Sequence, residues 1–314
     1  MSSFSIRTMR PTDIEMAREL ARSVWGDQLY RDTGVALDYP ARDRRVYEAY
    51  LDLEPEGNFV AESEGKVVAA AYAHSWGSVG WVGPLEVMPS HQGKGIGRAL
   101  MERASFYLES SGCTTMGVET MGDSDRNIRF YTSLGYRLHS PTFVYEKQLG
   151  ERDIFPHGVE VKTSLSEIER EGLRELSDAV FPEMDLSKEF RIATEMSIGR
   201  VLLIKDSDHR ERILGAAIVH GRTVEGLTSH LLRALMVDPY HEERSSLFSR
   251  LIMSSEVVAK GMGAKKLFFT SSVTSASISV LASEGYRTIA NNVRMLKKGP
   301  YYERGDLQLL SWAG

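Results

Sequence analysis

The sequence repeats itself at an interval of 150 residues, for example from Val87 to Val237. LEVMPSHQGKGIGRALM, which starts at Leu85, has a counterpart in LMVDPYHEERSSLFSRL, and both segments keep a valine, a proline and a histidine at matching places. NIRFYTSLGYRL and SISVLASEGYRT keep the same interval, with Gly135 matching Gly285. Self-similarity at a fixed interval is typical of a repeated structural unit. We therefore expect two similar domains in tandem, residues 1–150 and 151–314.

Each half follows the same predicted order of elements. A strand and a helical region lead to two or three strands, then to a loop, a helix, a strand, a short helix and closing strands. In the first half, Gly112 is typical of a left-handed cap that ends the helix after the loop. That helix carries apolar residues at spacings of three and four, namely Leu100, Met101, Ala104, Tyr107 and Leu108. The predicted fold class is α/β, with a mixed α+β sheet built from βαβ units.

Composition and charge narrow the class of protein. Of the 314 residues, 42% are hydrophobic and 26% are charged, as is typical of globular domains. A net charge of −5 argues against a general affinity for nucleic acid, and no apolar run has the length of a membrane helix. We therefore expect a cytoplasmic protein with neither nucleic acid nor membrane as a partner. The single cysteine, Cys113, excludes an internal disulfide, and no metal site is predicted.

Three glycines, Gly93, Gly95 and Gly97, alternate with other residues between a predicted strand and a predicted helix. Glycine allows positive φ angles and a close approach of the backbone to a ligand. A strand that leads through such a loop into a helix leaves amide groups unpaired at the positive end of the helix dipole. This arrangement is typical of a phosphate-binding loop.

Two common phosphate-binding motifs fit this loop poorly. A P-loop requires G-x-x-x-x-G-K-[ST], and the sequence has neither the four-residue gap nor a lysine followed by serine or threonine. A dinucleotide fold requires G-x-G-x-x-G, whose third glycine would fall at Arg98 or Leu100. Glu119 does lie at the distance expected of a ribose-binding acid, which leaves the dinucleotide interpretation open.

The segment VMPSHQGKGIGRAL, which starts at Val87, resembles the acetyl-CoA loop of the GNAT acetyltransferases, V-x-P-x-x-[QR]-G-x-G-[IV]-G-x-x-L. FYTSLGY, which starts at Phe130, is similar to the F-Y-x-x-x-G-F segment of that family. The resemblance covers most of residues 4–149. Because the second half resembles the same fold without its motifs, the whole chain looks like a tandem GNAT protein.

The resemblance implies an acyl-CoA-dependent N-acyltransferase, with acetyl-CoA as co-substrate. It implies that the backbone of Leu85–Val87 pairs with the pantetheine arm and offers an N–H group to the thioester oxygen. It also implies that Tyr131 gives its proton to the departing sulfur. The pyrophosphate is expected on the loop amides with two cations nearby, and the residues of this predicted site are Gln92, Gly93, Lys94, Gly95, Ile96, Gly97 and Arg98.

Two carboxylates compete for the role of the base. The family often carries a carboxylate on the strand after the loop helix, and Glu119 occupies that place, so it is the predicted base. Glu86 is the second candidate, although strand alternation points it to the opposite face from Val87. The family also often has an asparagine seven residues before the tyrosine, where this chain has Ser124. Either Ser124 makes that cofactor contact or Asn127 reaches it.

The second half lacks the loop glycines and the tyrosine on which the predicted chemistry of the first half depends. At the interval of 150 residues, the first two loop glycines and the tyrosine correspond to Glu243, Ser245 and Leu281. An acid has entered the anion site, and the proton donor has become a hydrocarbon. We therefore expect one acetyl-CoA per chain, with a catalytically silent second half that covers or shapes the first.

The acceptor is predicted to be a cationic primary amine, on a small molecule or a peptide. Residues 13–56 hold eleven Asp and Glu against six Arg, and Glu119 and Glu86 are expected close to the reacting thioester. Clustered carboxylates concentrate cations. Aromatic residues that are candidates for its pocket, or for the core, are Trp25, Tyr30, Tyr39, Trp76 and Trp81. A protein that binds or senses CoA without turnover stays open as a second class, and nothing in the sequence determines the oligomeric state.

Overall fold

The computed structural model describes residues 4–36, 38–150, 155–209, 212–221, 224–272 and 276–312, which form eight α-helices and one thirteen-stranded sheet. The strands are β1 (Ser5–Thr8), β2 (Asn58–Ser63), β3 (Lys66–Trp76), β4 (Val79–Val87), β5 (Thr115–Met121), β6 (Arg137–Gln148), β7 (Glu160–Lys162), β8 (Gly199–Lys205), β9 (Ile213–His220), β10 (Ser229–Val237), β11 (Lys266–Ser272), β12 (Arg287–Lys298) and β13 (Leu309–Leu310). The helices are α1 (Ile14–Thr33), α2 (Arg44–Leu53), α3 (Ile96–Ser110), α4 (Asp125–Ser133), α5 (Glu167–Val180), α6 (Ser187–Thr194), α7 (Arg244–Gly261) and α8 (Ser277–Ser283).

The two halves contain the same elements in the same order. The first half runs β1, α1, α2, β2, β3, β4, α3, β5, α4 and β6, and the second runs β7, α5, α6, β8, β9, β10, α7, β11, α8 and β12. The sheet is mixed, because β4 and β5 are parallel, as are β10 and β11, whereas the other paired strands are antiparallel. These features confirm the predicted repeat and the mixed α/β class.

Each half lends one strand to the other half, β6 from the first and β12 from the second, whereas the short β13 that follows β12 has no counterpart among the described residues of the first half. The strand order is β1-β2-β3-β4-β5-β12-β6-β11-β10-β9-β8-β7, so β12 lies between β5 and β6, and β6 lies beside β11. The predicted boundary near residue 150 therefore divides the chain without dividing the sheet. Side chains of both halves also share a core, in which Trp76 and Trp81 of the first half join Phe181 and Phe190 of the second.

Helix α3 forms as the apolar spacing predicts. It begins after Gly95, which has a φ of +84°, and Gly112 follows its end with the same φ. Both positions suit glycine, because a side chain is strained in this left-handed conformation. Four of the five predicted core residues are buried, and Tyr107 is half-buried, on the face towards β2, β3 and β4; the four are Leu100, Met101, Ala104 and Leu108. No helix of the described residues combines the length and apolar character needed to cross a membrane.

Candidate active site

Strands β4 and β5 pair along only part of their length. The pairing runs from Val79 opposite Thr115 to Val82 opposite Val118. Beyond this point the two strands are not paired with each other, although β4 stays paired with β3 up to Val87. We call the gap between β4 and β5 beyond these pairs the slot. An open slot between parallel strands leaves backbone groups of β4 without a strand partner.

The backbone of β4 turns alternate residues towards the slot. The amide of Met88 donates to the carbonyl oxygen of Val68 on β3. Because hydrogen-bonding direction alternates along an antiparallel pair, Glu86 also bonds towards β3, and the N–H and C=O groups of Leu85 and Val87 point the other way. The side-chain amide of Gln92 donates to the carbonyl of Val87 at 3.0 Å. Strand β4 therefore turns backbone groups of Leu85 and Val87 towards the slot, as pairing with a pantetheine arm would require.

The glycine loop leads directly into α3. Gly93 and Gly95 have φ angles of +73° and +84°, and an added Cβ at either would meet no atom within 4 Å. Gly97 has an ordinary φ, and a Cβ there would lie 3.4 Å from the ring of Phe130. Two of the three glycines thus satisfy a left-handed backbone, and the third allows the close packing of α4 on α3.

Within the described part of the chain, most backbone amides of this loop have no hydrogen-bond partner. The amide of Gln92 donates to Pro89, and the next amide with a backbone partner is that of Ala99, which donates to Gly95. The amides between them lie at the positive end of the α3 dipole. Such amides bind the oxygens of phosphate groups.

A cavity of about 370 Å³, which we call the loop cavity, lies over the glycine loop. Arg98 and Arg126 lie in its wall, whereas Lys94 does not. Arg126, at the start of α4, also donates to the side-chain oxygens of Gln92 and Gln28 at 3.4 and 3.2 Å. The sequence interpretation missed Arg126 and Gln28. The predicted residues that do line the cavity are Leu85, Val87, Gln92, Gly93, Gly95, Ile96, Gly97, Arg98, Asn127 and Tyr131.

A second cavity of about 150 Å³, the slot cavity, continues from the loop cavity between β4 and β5. Tyr131 lies where the two cavities meet, because it is one of the five residues that line both, namely Trp25, Leu85, Met121, Asn127 and Tyr131. The side-chain amide of Asn127 donates to Thr120, whereas Ser124 caps α4 by accepting from the amide of Asn127. Of the two residues proposed for the asparagine contact, Asn127 is the one that faces the cavities.

Glu119 lies beside the slot cavity with its carboxylate engaged by the second half of the chain. Its Oε1 accepts from Nδ2 of Asn292 at 3.2 Å, and its Oε2 accepts from Nε of Arg294 at 3.1 Å. The side chains of Glu119 and Arg294 are fully buried, so the part of Glu119 that reaches the cavity is its backbone. Asn292 and Arg294 were missed from the sequence, because they belong to a strand in the other repeat.

Glu86 is held away from the described cavities. Its Oε1 accepts from Nε1 of Trp25 and from Nη2 of Arg42, both at 2.7 Å, and the side chain is fully buried. It packs on the opposite face from Val87, as strand alternation predicts. In this structure it therefore orients Trp25 and Arg42.

The second half has a slot at the equivalent place, and strand β13 fills it. The pairing of β10 with β11 ends at Leu231 opposite Phe268, and β13 then pairs with β10. Ser311, next to β13, accepts at Oγ from the amide of Thr270 on β11 and donates from its own amide to Arg233. Leu247 and Leu281 are buried where the first half has a glycine and Tyr131. The chain's own backbone thus occupies the region that is open in the first half.

A third cavity of about 310 Å³, the interface cavity, lies between the two halves. It shares Trp25 and Asn292 with the slot cavity, and residues of both halves form its wall. Of the five aromatic candidates, Trp25 and Tyr39 line the interface cavity, Trp81 lines the slot cavity, Trp76 lies in the core, and Tyr30 is 55% exposed.

The acidic segment 13–56 does not face these cavities. None of its described carboxylates lies among the residues that line them. Arginines pair with many of these acids, for example Glu15 with Arg18 and Arg44, and Asp38 with Arg22. The prediction of a cationic acceptor therefore loses one of its two supports, and the carboxylates of the other, Glu119 and Glu86, are each paired with an arginine.

Cys113 is buried. Burial raises the pKa of the Cys113 thiol to about 11, so this cysteine is protonated at neutral pH. In the described ranges, no group of three or more His, Cys, Asp and Glu side chains is placed to hold a metal ion.

Comparison with known proteins gives matches in sequence and in fold. Residues 21–136 match the model of the Acetyltransferase (GNAT) family. An acetyltransferase of Sodalis glossinidius is 32% identical over 104 residues, which are 33% of this chain and 73% of that protein. A mycothiol acetyltransferase of Streptomyces avermitilis is 30% identical over 108 residues, which are 34% of this chain and 34% of that relative.

The solved structure of a tandem GNAT protein from the clavulanic acid biosynthesis pathway has the same overall fold. It matches with a TM-score of 0.62 at 17% identity, and the match covers 96% of this chain and 100% of that chain. At this low identity the likeness concerns the fold alone. The likeness extends along almost the whole chain, whereas the family model covers only residues of the first half.

Proposed function

This chain belongs to the acetyltransferase (GNAT) family, and from that premise we propose that it transfers an acetyl group from acetyl-CoA to a primary amine. The observation that carries the proposal is the slot. It runs from the unpaired amides of the glycine loop, past the free edge of β4, to Tyr131 and the neighbourhood of Glu119. Three requirements of acyl transfer, an anion site, a carbonyl-polarising amide and a proton donor, thus lie along one continuous path.

The chain's own residues fit acetyl-CoA at both ends of this path. The amides from Gly93 to Arg98 suit the pyrophosphate, and Arg98 and Arg126 add positive charge in the wall of the loop cavity. The N–H groups of Leu85 and Val87 suit the pantetheine arm and the thioester oxygen. When bound, acetyl-CoA supplies the thioester that the amine attacks directly in a ternary complex, with the CoA thiolate as leaving group.

Tyr131 is the proposed proton donor to that thiolate. Burial raises the pKa of its hydroxyl above the usual range, so the side chain is protonated at physiological pH and carries a proton to donate. Its position where the loop cavity and the slot cavity meet supports this role. Burial also raises the pKa of a thiol, so a CoA thiolate that forms in the slot is a stronger base there than in water. The transfer of the proton from the phenol to the sulfur therefore depends on the low-dielectric surroundings that both groups share.

Glu119 is the proposed base for the amine. Both candidate carboxylates are buried and paired with an arginine, but the backbone of Glu119 lies in the wall of the slot cavity, whereas Glu86 lines none of the described cavities. Asn292 donates to Glu119 and also lines the interface cavity, from which an amine can approach the slot. Because Asn292 and Arg294 cover the carboxylate, the proposal routes the proton of the amine to it through a water that enters beside Asn292.

A CoA-release assay tests the proposal against a protein that binds CoA without turnover. The purified chain is mixed with acetyl-CoA and a panel of primary amines, and free thiol is measured together with the mass of each amine. We expect thiol release that requires an amine and produces an acetylated amine in equal amount. Tight acetyl-CoA binding with no amine-dependent release across the panel would instead support the non-catalytic alternative.

A further inference from the structure

The interface cavity lies next to the proposed site of acetyl transfer. Trp25 and Asn292 form part of its wall and of the wall of the slot cavity, so the two cavities adjoin at these two side chains. The first half contributes the segment around Tyr39 and Pro40, and the second half contributes strands β9, β10 and β11. The wall therefore exists only where the two halves meet.

The wall contains no described carboxylate. Its two arginines are already paired with buried glutamates, because Arg42 donates to Glu86 and Arg233 donates to Glu189. Burial lowers the pKa of the third described basic group in the wall, His220, to about 4, so that ring is neutral at physiological pH. A second ammonium group in this cavity would find no described carboxylate in the wall to pair with, because Glu86 and Glu189 lie behind the arginines that they already bind, and burial of an unpaired cation is unfavourable.

Aromatic and aliphatic side chains form much of the wall. The rings of Trp25 and Tyr39 stack with their centroids 6.4 Å apart, and Tyr50 and Phe268 also line the cavity. A cavity of about 150 Å³ holds one benzene ring. The interface cavity, at about 310 Å³, is therefore large enough for one aromatic ring and a short chain that carries an amine.

We propose that the acceptor is a primary amine attached to an uncharged, aromatic body, which lies in the interface cavity while its amino group enters the slot. This inference deepens the proposed function and rests on it for the fate of the amine. It replaces the cationic acceptor that the acidic segment suggested, because those acids do not line the cavity. Both halves of the chain then select the substrate, although the first half carries the proposed chemistry.

Four matched amines test the inference: 2-phenylethylamine, n-pentylamine, 1,5-diaminopentane and 5-aminopentanoate. Calorimetry measures the binding of each amine to the full chain saturated with CoA, and the thiol assay measures kcat/KM with acetyl-CoA. We expect the aromatic amine to lead in both, by roughly tenfold or more over the diamine, because burial of a phenyl ring is favourable and burial of a second cation is not. Equal values, a lead for the diamine or the carboxylate, or no binding of any amine would overturn the inference.

A pair of variants tests whether this cavity is responsible. Phe268→Ala removes an aromatic ring from the wall, and Phe106→Ala removes one from α3, where the ring is 61% exposed. We expect Phe268→Ala to weaken binding of 2-phenylethylamine about fivefold or more while acetyl-CoA binding is unchanged. Phe106→Ala should change neither. A Phe268→Ala variant that folds with a normal melting temperature and binds the aromatic amine normally would contradict the proposal.

The two readouts separate this inference from the proposed function. If no amine releases thiol, the proposed acetyl transfer fails, and the order of the calorimetric affinities still decides the chemistry of the cavity. If thiol release is strong but follows the diamine, the acetyl transfer stands and the inference on the acceptor fails.

Discussion

The Nε atom of Arg294 lies 3.1 Å from Oε2 of Glu119, and both side chains are completely buried. Glu119 belongs to β5 of the first half, and Arg294 belongs to β12 of the second. The same guanidinium donates to Glu303, Tyr301 and the carbonyl of Leu310. The half without the glycine loop therefore holds the carboxylate that we propose as the base.

Replacement of Arg294 by methionine should strongly destabilise the protein. The change leaves Glu119 and Glu303 without their shared cation, and breaking a buried ion pair costs about 3–5 kcal/mol of the free energy of unfolding. Urea unfolding measures the loss. Adding Glu119→Gln to the variant should recover part of it, because one of the two unpaired charges is then removed.

The matched control is Arg129→Met, which removes an exposed arginine that pairs with Asp125 one helical turn away. Exposed pairs of this kind contribute about 0.5 kcal/mol or less. A similar small loss for Arg294→Met would show that the buried pair is not important for stability.

The variant Tyr131→Phe should lower kcat by roughly 10²-fold or more, which is the usual size of general acid catalysis. Acetyl-CoA affinity should change little, because the ring that lines the loop cavity is kept. Steady-state kinetics and calorimetry give the two quantities. Tyr30→Phe, at an exposed tyrosine, serves as control. An unchanged kcat in Tyr131→Phe would mean that solvent or another group protonates the thiolate.

The variant Gly95→Ala should weaken acetyl-CoA binding by about tenfold or more and cost about 1–2 kcal/mol of stability, since alanine is strained at positive φ. Gly112→Ala is the control, because Gly112 has the same φ of +84° and no neighbour within 4 Å, but it lies at the other end of α3. It should cost similar stability and leave the affinity for acetyl-CoA intact.

Titration of the unmodified chain with acetyl-CoA should give one site per chain, because β13 fills the second slot. A second equivalent site would contradict this.

Acid should weaken the contact between the two halves through Glu54. Burial alone would raise the pKa of this carboxyl, but the hydrogen bond with His74 and the charge of Lys188 outweigh burial and lower the pKa to about 2. The ordinary value is 4.5. The stabilisation is therefore complete above pH 4.5 and is lost as the pH falls from 4.5 towards 2, by about 3 kcal/mol in total.

Urea midpoints measured between pH 7 and pH 3 check this expectation. Because glutamine does not titrate, Glu54→Gln should be less stable at pH 7 but should lose less stability between pH 4.5 and pH 3 than the unmodified chain. Parallel losses in the two proteins would assign the acid sensitivity to other groups.

Features that depend on neighbouring residues were predictable from the sequence. The repeat, the apolar face of α3, the left-handed glycines and the end of α3 at Gly112 follow from side-chain spacing and backbone sterics over a few residues. The same local pattern predicted the open loop in the first half and its loss in the second. Tyr131 and most of the predicted loop residues indeed line one cavity.

Contacts between distant residues were decided by the tertiary structure. Arg294 reaches Glu119 across 175 positions of the chain because β12 pairs with β5, and β13 enters the second slot by pairing with β10. Similarly, the acids of segment 13–56 pair with arginines, and the wall of the interface cavity comes from both halves. Local spacing determines which face of an element is apolar and where the backbone needs glycine, whereas strand exchange and charge pairing depend on the packing of the whole chain.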